Sequence, residues 1–258
     1  MVASFYPLAF ASEEVGGPSV SVENLTPTGA EPHDLELTPQ AVARIERADV
    51  VVYLGHGFQP AVTDAVTDAK GTRVDALAGL PLRAAHDEDA SLTADPHVWL
   101  DPALFERIVT RIGAALGRPA AARALVAKLQ RLDADYRTGL SHCRRREIVT
   151  THAAFGYLAQ RYGLTQVAIT GITPESEPSP RRLAHVVDLV RAAHATTVFF
   201  EKLLSPRLAD TVAREVGAKS AVLDPIEGLT SSEQAGGATY FSLMRANLAA
   251  LRKALACR

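Results

Sequence analysis

Short apolar runs alternate with segments of helical period from one end of the chain to the other. Val2–Tyr6 reads as a short buried strand, and Leu8–Val15 as an apolar helix ended by Gly16 and Gly17. Ser19–Leu25 places Val20 and Val22 at the two-residue spacing of a strand and ends on Leu25. Thr38-Pro39 offers a capping hydroxyl and a first-turn proline to a helix over Ala41–Arg47. Asp49–Leu54 is a run of valines with the composition of a strand covered on both faces. Pro60–Ala69 predicts a helix and Thr72–Leu77 a fourth strand.

The texture then changes. Ala103–Leu116 has helical period, and Arg118-Pro119 restarts a helix that runs to about Cys143. Its apolar residues Leu125, Leu129, Leu132, Tyr136 and Leu140 form one helical face. At the α-helical rise such a rod is about 37 Å long. Beyond it the alternation resumes. Strands are expected at Glu147–Thr151, Gln166–Thr170, Thr196–Phe200 and Ser220–Leu223. Helices are expected at Ala153–Tyr162, Pro180–Ala193, Pro206–Val216 and Thr239–Leu255. Strands alternating with helices imply parallel sheets. The expected fold is therefore α/β: two lobes, each a four-stranded, mainly parallel sheet flanked by helices, joined by one long rigid helix. The expected boundaries are 1–117, 118–143 and 144–258.

Composition narrows the function classes. The chain has 258 residues, 47% hydrophobic, enough for two lobes of ordinary domain size. A net charge of −2, without charged tails, gives no reason to expect nucleic acid or an anionic membrane as partner. No apolar run is long enough to span a bilayer, and the Met1-Val2-Ala3-Ser4 start is not a signal peptide. Cys143 and Cys257 lie too far apart in sequence for a cysteine metal motif. They form either one disulfide closing a long loop or two unpaired thiols.

Candidate chemistry gathers where strands end. His33 (Glu31-Pro32-His33-Asp34), His97 (Asp95-Pro96-His97-Val98), His152 (Thr151-His152-Ala153) and Asp224 (Leu223-Asp224-Pro225) all follow expected strands or lie in the loops feeding the next helix. Open parallel sheets bind ligands beyond the carboxyl ends of their strands. Three imidazoles and a carboxylate make a tetrahedral shell suited to Zn²⁺. Each residue alone is a weak signal, since a single loop histidine is more often a surface or capping residue. His56 follows a strand and is a lesser candidate. His86, in an acidic stretch with Asp87, Glu88 and Asp89, reads mainly as a solvated loop. His142, His185 and His194 read as structural. Glu175, Glu177 and Glu201 read mainly as packing or helix-capping groups, with a supporting role at the metal or a role in docking on the transporter as the sharper alternatives.

The segments ASFYPLAF (Ala3–Phe10), PHDLELTP (Pro32–Pro39), ADVVVYLGHGF (Ala48–Phe58), DPHVWLDP (Asp95–Pro102), THAAFGY (Thr151–Tyr157), GITPESEPSP (Gly171–Pro180) and FFEKLLS (Phe199–Ser205) resemble the zinc/manganese class of ABC-importer solute-binding proteins, in that family's order and over nearly the whole chain. The resemblance implies one Zn²⁺ per chain as transported ligand, held by His33, His97, His152 and Asp224. It also implies an extracytoplasmic receptor, periplasmic or membrane-anchored as a lipoprotein, delivering to the membrane permease of an ABC importer; a monomer is expected. Members that resemble manganese receptors carry a carboxylate at the third position; His152 here favours zinc. A receptor for Mn²⁺ or Fe²⁺ is the alternative within the class. A zinc-dependent hydrolase is the alternative outside it, disfavoured because Asp224 would close the fourth position and no His-Glu-x-x-His motif supplies a base. No long histidine-rich loop is present, which removes support for metal scavenging by such a loop.

Overall fold

The computed structural model describes residues 1–85, 92–174, 179–193 and 195–258. His86 with its acidic neighbours, Glu175, Glu177 and His194 lie outside these. The chain divides into two compact units. The first comprises Met1–Ala84, residues 92–133 and Ile226–Tyr240; the second is chiefly Ala134–Pro225 and Phe241–Arg258.

In the first unit, β1 (Val2–Ala3), β2 (Glu23–Asn24), β3 (Val50–Tyr53) and β4 (Thr72–Asp75) form a sheet in the order β2-β1-β3-β4. Every pairing is parallel. Helices α1 (Tyr6–Gly16), α2 (Pro39–Arg47), α3 (Pro60–Val66) and α4 (Pro102–Ala115) cover it. Beneath α2 and α3 the buried side chains are Val2, Leu25, Ala41, Ile45, Val51, Val62, Ala65 and Val66. Helix α2 begins where Thr38 accepts a hydrogen bond from the Ala41 amide, the expected cap. β1 is shorter than its apolar run: the chain turns into α1 at Tyr6, and Pro7 fits a first helical turn.

The second unit repeats the plan. Strands β5 (Glu147–Thr150), β6 (Thr165–Ala168), β7 (Thr197–Phe200) and β8 (Lys219–Val222) pair in parallel in the order β6-β5-β7-β8. They carry α6 (Gly156–Tyr162), α7 (Pro180–Ala192) and α8 (Arg207–Val216). Val149, Ile169, Val186, Val190, Val198, Ala209, Val212 and Ala213 make its core. The long helix is α5 (Pro119–Leu140), and its expected face, from Leu125 to Leu140, is buried. α5 belongs to the first unit through Asp133 and to the second from Ala134. The chain closes with α9 (Ser231–Ala235), which the apolar pattern does not foretell, and α10 (Tyr240–Leu255). Cys143 and Cys257, both in the second unit, form a disulfide. No helix of the described residues is long and apolar enough to cross a membrane.

Candidate metal centre

In the first unit, buried Gln59 fixes the loop that carries His33. Its Nε2 donates to the Pro32 carbonyl (3.1 Å) and to Thr26 Oγ1 (3.2 Å), and the Thr26 hydroxyl donates to the Ser4 carbonyl (2.8 Å). The His33 ring meets Phe58 edge-on at 4.7 Å, and its side chain is 2% exposed. His97 lies past β4, just ahead of a 3-10 turn over Val98–Leu100. Asp95 Oδ1 accepts from both the His97 amide (3.0 Å) and His97 Nδ1 (2.9 Å), while Trp99 flanks the ring at 5.1 Å. The two imidazoles are 5.6 Å apart between centroids.

A carboxylate meets them, and it is Glu227. Its Oε1 lies 3.1 Å from His97 Nε2 and 3.6 Å from His33 Nε2, with the side chain wholly buried. The candidate ligand atoms of His33, His97 and Glu227 lie within 4.8 Å of one another. The loop is turned by Ile226, a buried β-branched residue at φ 61°, in the left-handed region that such residues rarely enter. A conformation of that kind persists only where its surroundings over-determine it.

The charges explain what the cluster wants. With Nδ1–H given to Asp95, a neutral His97 turns the lone pair of Nε2 towards the Glu227 carboxylate. Two acceptors at 3.1 Å repel unless a cation lies between them. A proton on His97 is one solution. Burial, the largest influence, disfavours the charged ring, but hydrogen bonds and charge from Asp95 and Glu227 outweigh it, and the pKa is raised. A divalent metal is the other. Nitrogen and carboxylate donors with a carboxylate behind the imidazole are a zinc-type donor set.

In the second unit, His152 lies two residues beyond β5. Its carbonyl accepts from Thr150 Oγ1 (2.7 Å) and Gln166 Nε2 (3.0 Å), and its Nδ1 donates to Glu201 Oε1 (2.6 Å). Glu201 directly follows β7 and also accepts from Thr151 Oγ1 (2.8 Å). Asp224, the expected carboxylate ligand, has partners of its own in this unit. Its backbone is clamped on both sides by Asn247, its amide donating to Oδ1 (2.9 Å) and its carbonyl accepting from Nδ2 (2.6 Å). Its carboxylate faces Lys202 Nζ at 3.3 Å. His56 is exposed, with Nδ1 bonded to the Thr93 hydroxyl (2.9 Å).

Of the four residues expected as ligands, the first unit brings His33 and His97 together, and the carboxylate beside them is that of Glu227. Sequence reasoning chose Asp224, the carboxylate nearest the strand end, and did not weigh Glu227. The second acid of Asp224-Pro225-Ile226-Glu227, three residues on, was the available signal. Asp95 was legible only as part of the DPHVWLDP segment. Glu201, read mainly as a packing or capping group, accepts hydrogen bonds from the His152 ring and the Thr151 hydroxyl.

Known proteins agree with this chemistry. The family described as zinc-uptake complex component A, periplasmic, matches residues 1–254. The high-affinity zinc uptake system protein ZnuA of Bacillus subtilis is 34% identical over 99% of this chain and 87% of its own length. The zinc-binding lipoprotein AdcA of Streptococcus pneumoniae is 35% identical over 98% of this chain, which spans about half of that longer protein (55%). The laminin-binding protein Lmb of Streptococcus agalactiae, a bifunctional adhesin and metal transporter, superposes with a TM-score of 0.89 at 33% identity over 98% of both chains. The Zn(II)-bound ZnuA-like domain of AdcA does so with a TM-score of 0.82 at 36% identity, over 98% of this chain and 97% of that one. The chain belongs to the zinc-uptake complex component A family of solute-binding transport receptors.

Proposed function

We propose that this protein is an extracytoplasmic receptor that captures Zn²⁺ and delivers it to the membrane permease of an ABC importer, without catalysing a reaction. The observation that carries the reading is the convergence of His33 Nε2 and His97 Nε2 on one buried carboxylate oxygen of Glu227. The proposed ligands are His33, His97, His152 and Glu227. His152 supplies the fourth donor through Nε2, since its Nδ1 faces Glu201. Glu227 is preferred to Asp224 because the Asp224 carboxylate is drawn to Lys202. Three imidazoles and one carboxylate fill a tetrahedral shell, leaving no open position of the kind a hydrolytic zinc site keeps. Imidazole in three positions favours Zn²⁺ over Mn²⁺. The zinc-receptor relatives support the same cargo.

Isothermal calorimetry on single alanine variants tests the assignment. His33→Ala, His97→Ala, His152→Ala and Glu227→Ala each lose most of the zinc affinity, while Asp224→Ala retains more of it than Glu227→Ala. The reverse order at the two acids would make Asp224 the ligand. Wild-type affinity in all three histidine variants would end the reading. Competition between Zn²⁺ and Mn²⁺ decides the cargo.

A further inference from the structure

Glu201 is a buried carboxylate, 3% exposed, placed at the end of β7. Its Oε1 takes two hydrogen bonds, from His152 Nδ1 at 2.6 Å and from the Thr151 hydroxyl at 2.8 Å. Its Oε2 is buried too and makes no hydrogen bond among the described residues. A carboxylate in such a place loses hydration that a packing role would not require it to lose, since a leucine or glutamine could fill the same volume. What only an acceptor on this side of the ring can do is choose a tautomer. An isolated neutral imidazole carries its proton on either nitrogen.

We propose that Glu201 is a positioning residue which commits His152 to the Nδ1–H tautomer, and so to binding metal through Nε2. The inference rests on the proposed role of His152 as a ligand. The hydrogen bond accepted from Nδ1 restrains the ring and leaves the Nε2 lone pair directed away from the Glu201 carboxylate. The negative charge behind the ring strengthens imidazole as a donor once metal is bound. Thr151 helps to hold the carboxylate, because its hydroxyl donates to the same Oε1. The pair Asp95–His97 in the first unit has the same arrangement, with carboxylate on Nδ1 and Nε2 turned to the cluster. His97 and His152 are therefore each presented by a carboxylate on Nδ1, one from a loop and one from the end of β7.

The test combines two measurements on the whole protein. Imidazole ¹⁵N–¹H correlation spectra of metal-free protein, at a pH where His152 is neutral, report its tautomer directly. Zinc titration reports affinity. The wild type shows His152 as Nδ1–H. Glu201→Gln, which keeps shape and an acceptor oxygen, retains that tautomer but binds zinc about tenfold more weakly. Glu201→Ala shows a mixture of tautomers and loses roughly 10–100-fold in affinity. A Glu201→Ala protein with His152 still wholly Nδ1–H and wild-type zinc affinity would overturn the proposal. That result would leave the receptor reading intact provided His152→Ala still abolished binding. If His152→Ala bound zinc normally, the ligand assignment itself would be at fault. Thr151→Val, away from the ring, weakens zinc less than Glu201→Ala.

Discussion

If His97 is a zinc ligand as proposed, protons and zinc compete for its Nε2. The raised pKa of this buried ring means that it starts to take up a proton above the ordinary histidine value of about 6.5. Its protonated form stabilises the metal-free fold, a contribution fully present below about pH 6.5 and lost as the pH rises through the raised value. Zinc binding has the opposite sign, because the metal needs the deprotonated nitrogen. Affinity should therefore begin to fall at a pH above 6.5 and drop steeply on further acidification, as calorimetry at a series of pH values would show. In Asp95→Asn the ring loses its strongest proton-holding partner, and the onset of that fall should move to lower pH. At neutral pH the same change should weaken zinc by roughly 10–100-fold, the usual consequence of losing the group behind a ligand imidazole. The reason that Glu227 escaped the sequence reading also lies at this scale. A β-branched residue such as Ile226 is the last place where a left-handed turn is expected, yet that turn, at φ 61°, precedes the carboxylate.

Helices and strands were far more legible than the ligand loops. Valine runs announced β3, and the spacing of Leu125, Leu129, Leu132, Tyr136 and Leu140 announced α5, because burial on one face imposes a period. α9 stayed hidden for the converse reason. Its five residues, Ser231–Ala235, bury none of their side chains, and its only sign is the reciprocal cap between Thr230 and Glu233. Two elements give measurable predictions. Thr38→Ala removes the acceptor at the start of α2 and should cost about 1 kcal/mol in urea denaturation. Gly113 on α4 lets Ala122 of α5 approach so closely that a side chain there would overlap the Ala122 methyl. Gly113→Ala should destabilise by about 1–3 kcal/mol in the same assay, although alanine is the better helix former.

Over the whole molecule, the disulfide is the largest single constraint. Cys143 and Cys257 are 114 residues apart, and a loop of that length restricts the unfolded chain by roughly 4–5 kcal/mol. Backbone hydrogen bonds from Arg144 and Arg145 to Leu255, and from Arg258 to His142, already hold the two segments together. A Cys143→Ser/Cys257→Ser protein should therefore fold, melt at lower temperature, and match the wild type under reductant. A stable bond of this kind suits an oxidising compartment, in keeping with a receptor outside the cytoplasm. Zinc should stabilise the fold in proportion to the logarithm of its concentration, by about 4 kcal/mol at a thousandfold excess over Kd, and so raise the melting temperature. Glu227→Ala should abolish most of that rise.

The two sheets share one strand order, with the first strand second from the edge, flanked by the next strand on one side and the third on the other. That kinship is invisible in the letters of the chain, yet it gives every strand end in one half a counterpart in the other. The slot after the opening strand is occupied by Ser4 in one half and by the Thr151-His152 pair in the other; the slot after the third holds Leu54 in one and Glu201 in the other. The frame is duplicated while the recognising groups are not. Grafting a new cargo preference onto this protein is accordingly a matter of rewriting a few strand-end loops, with both scaffolds left as they stand.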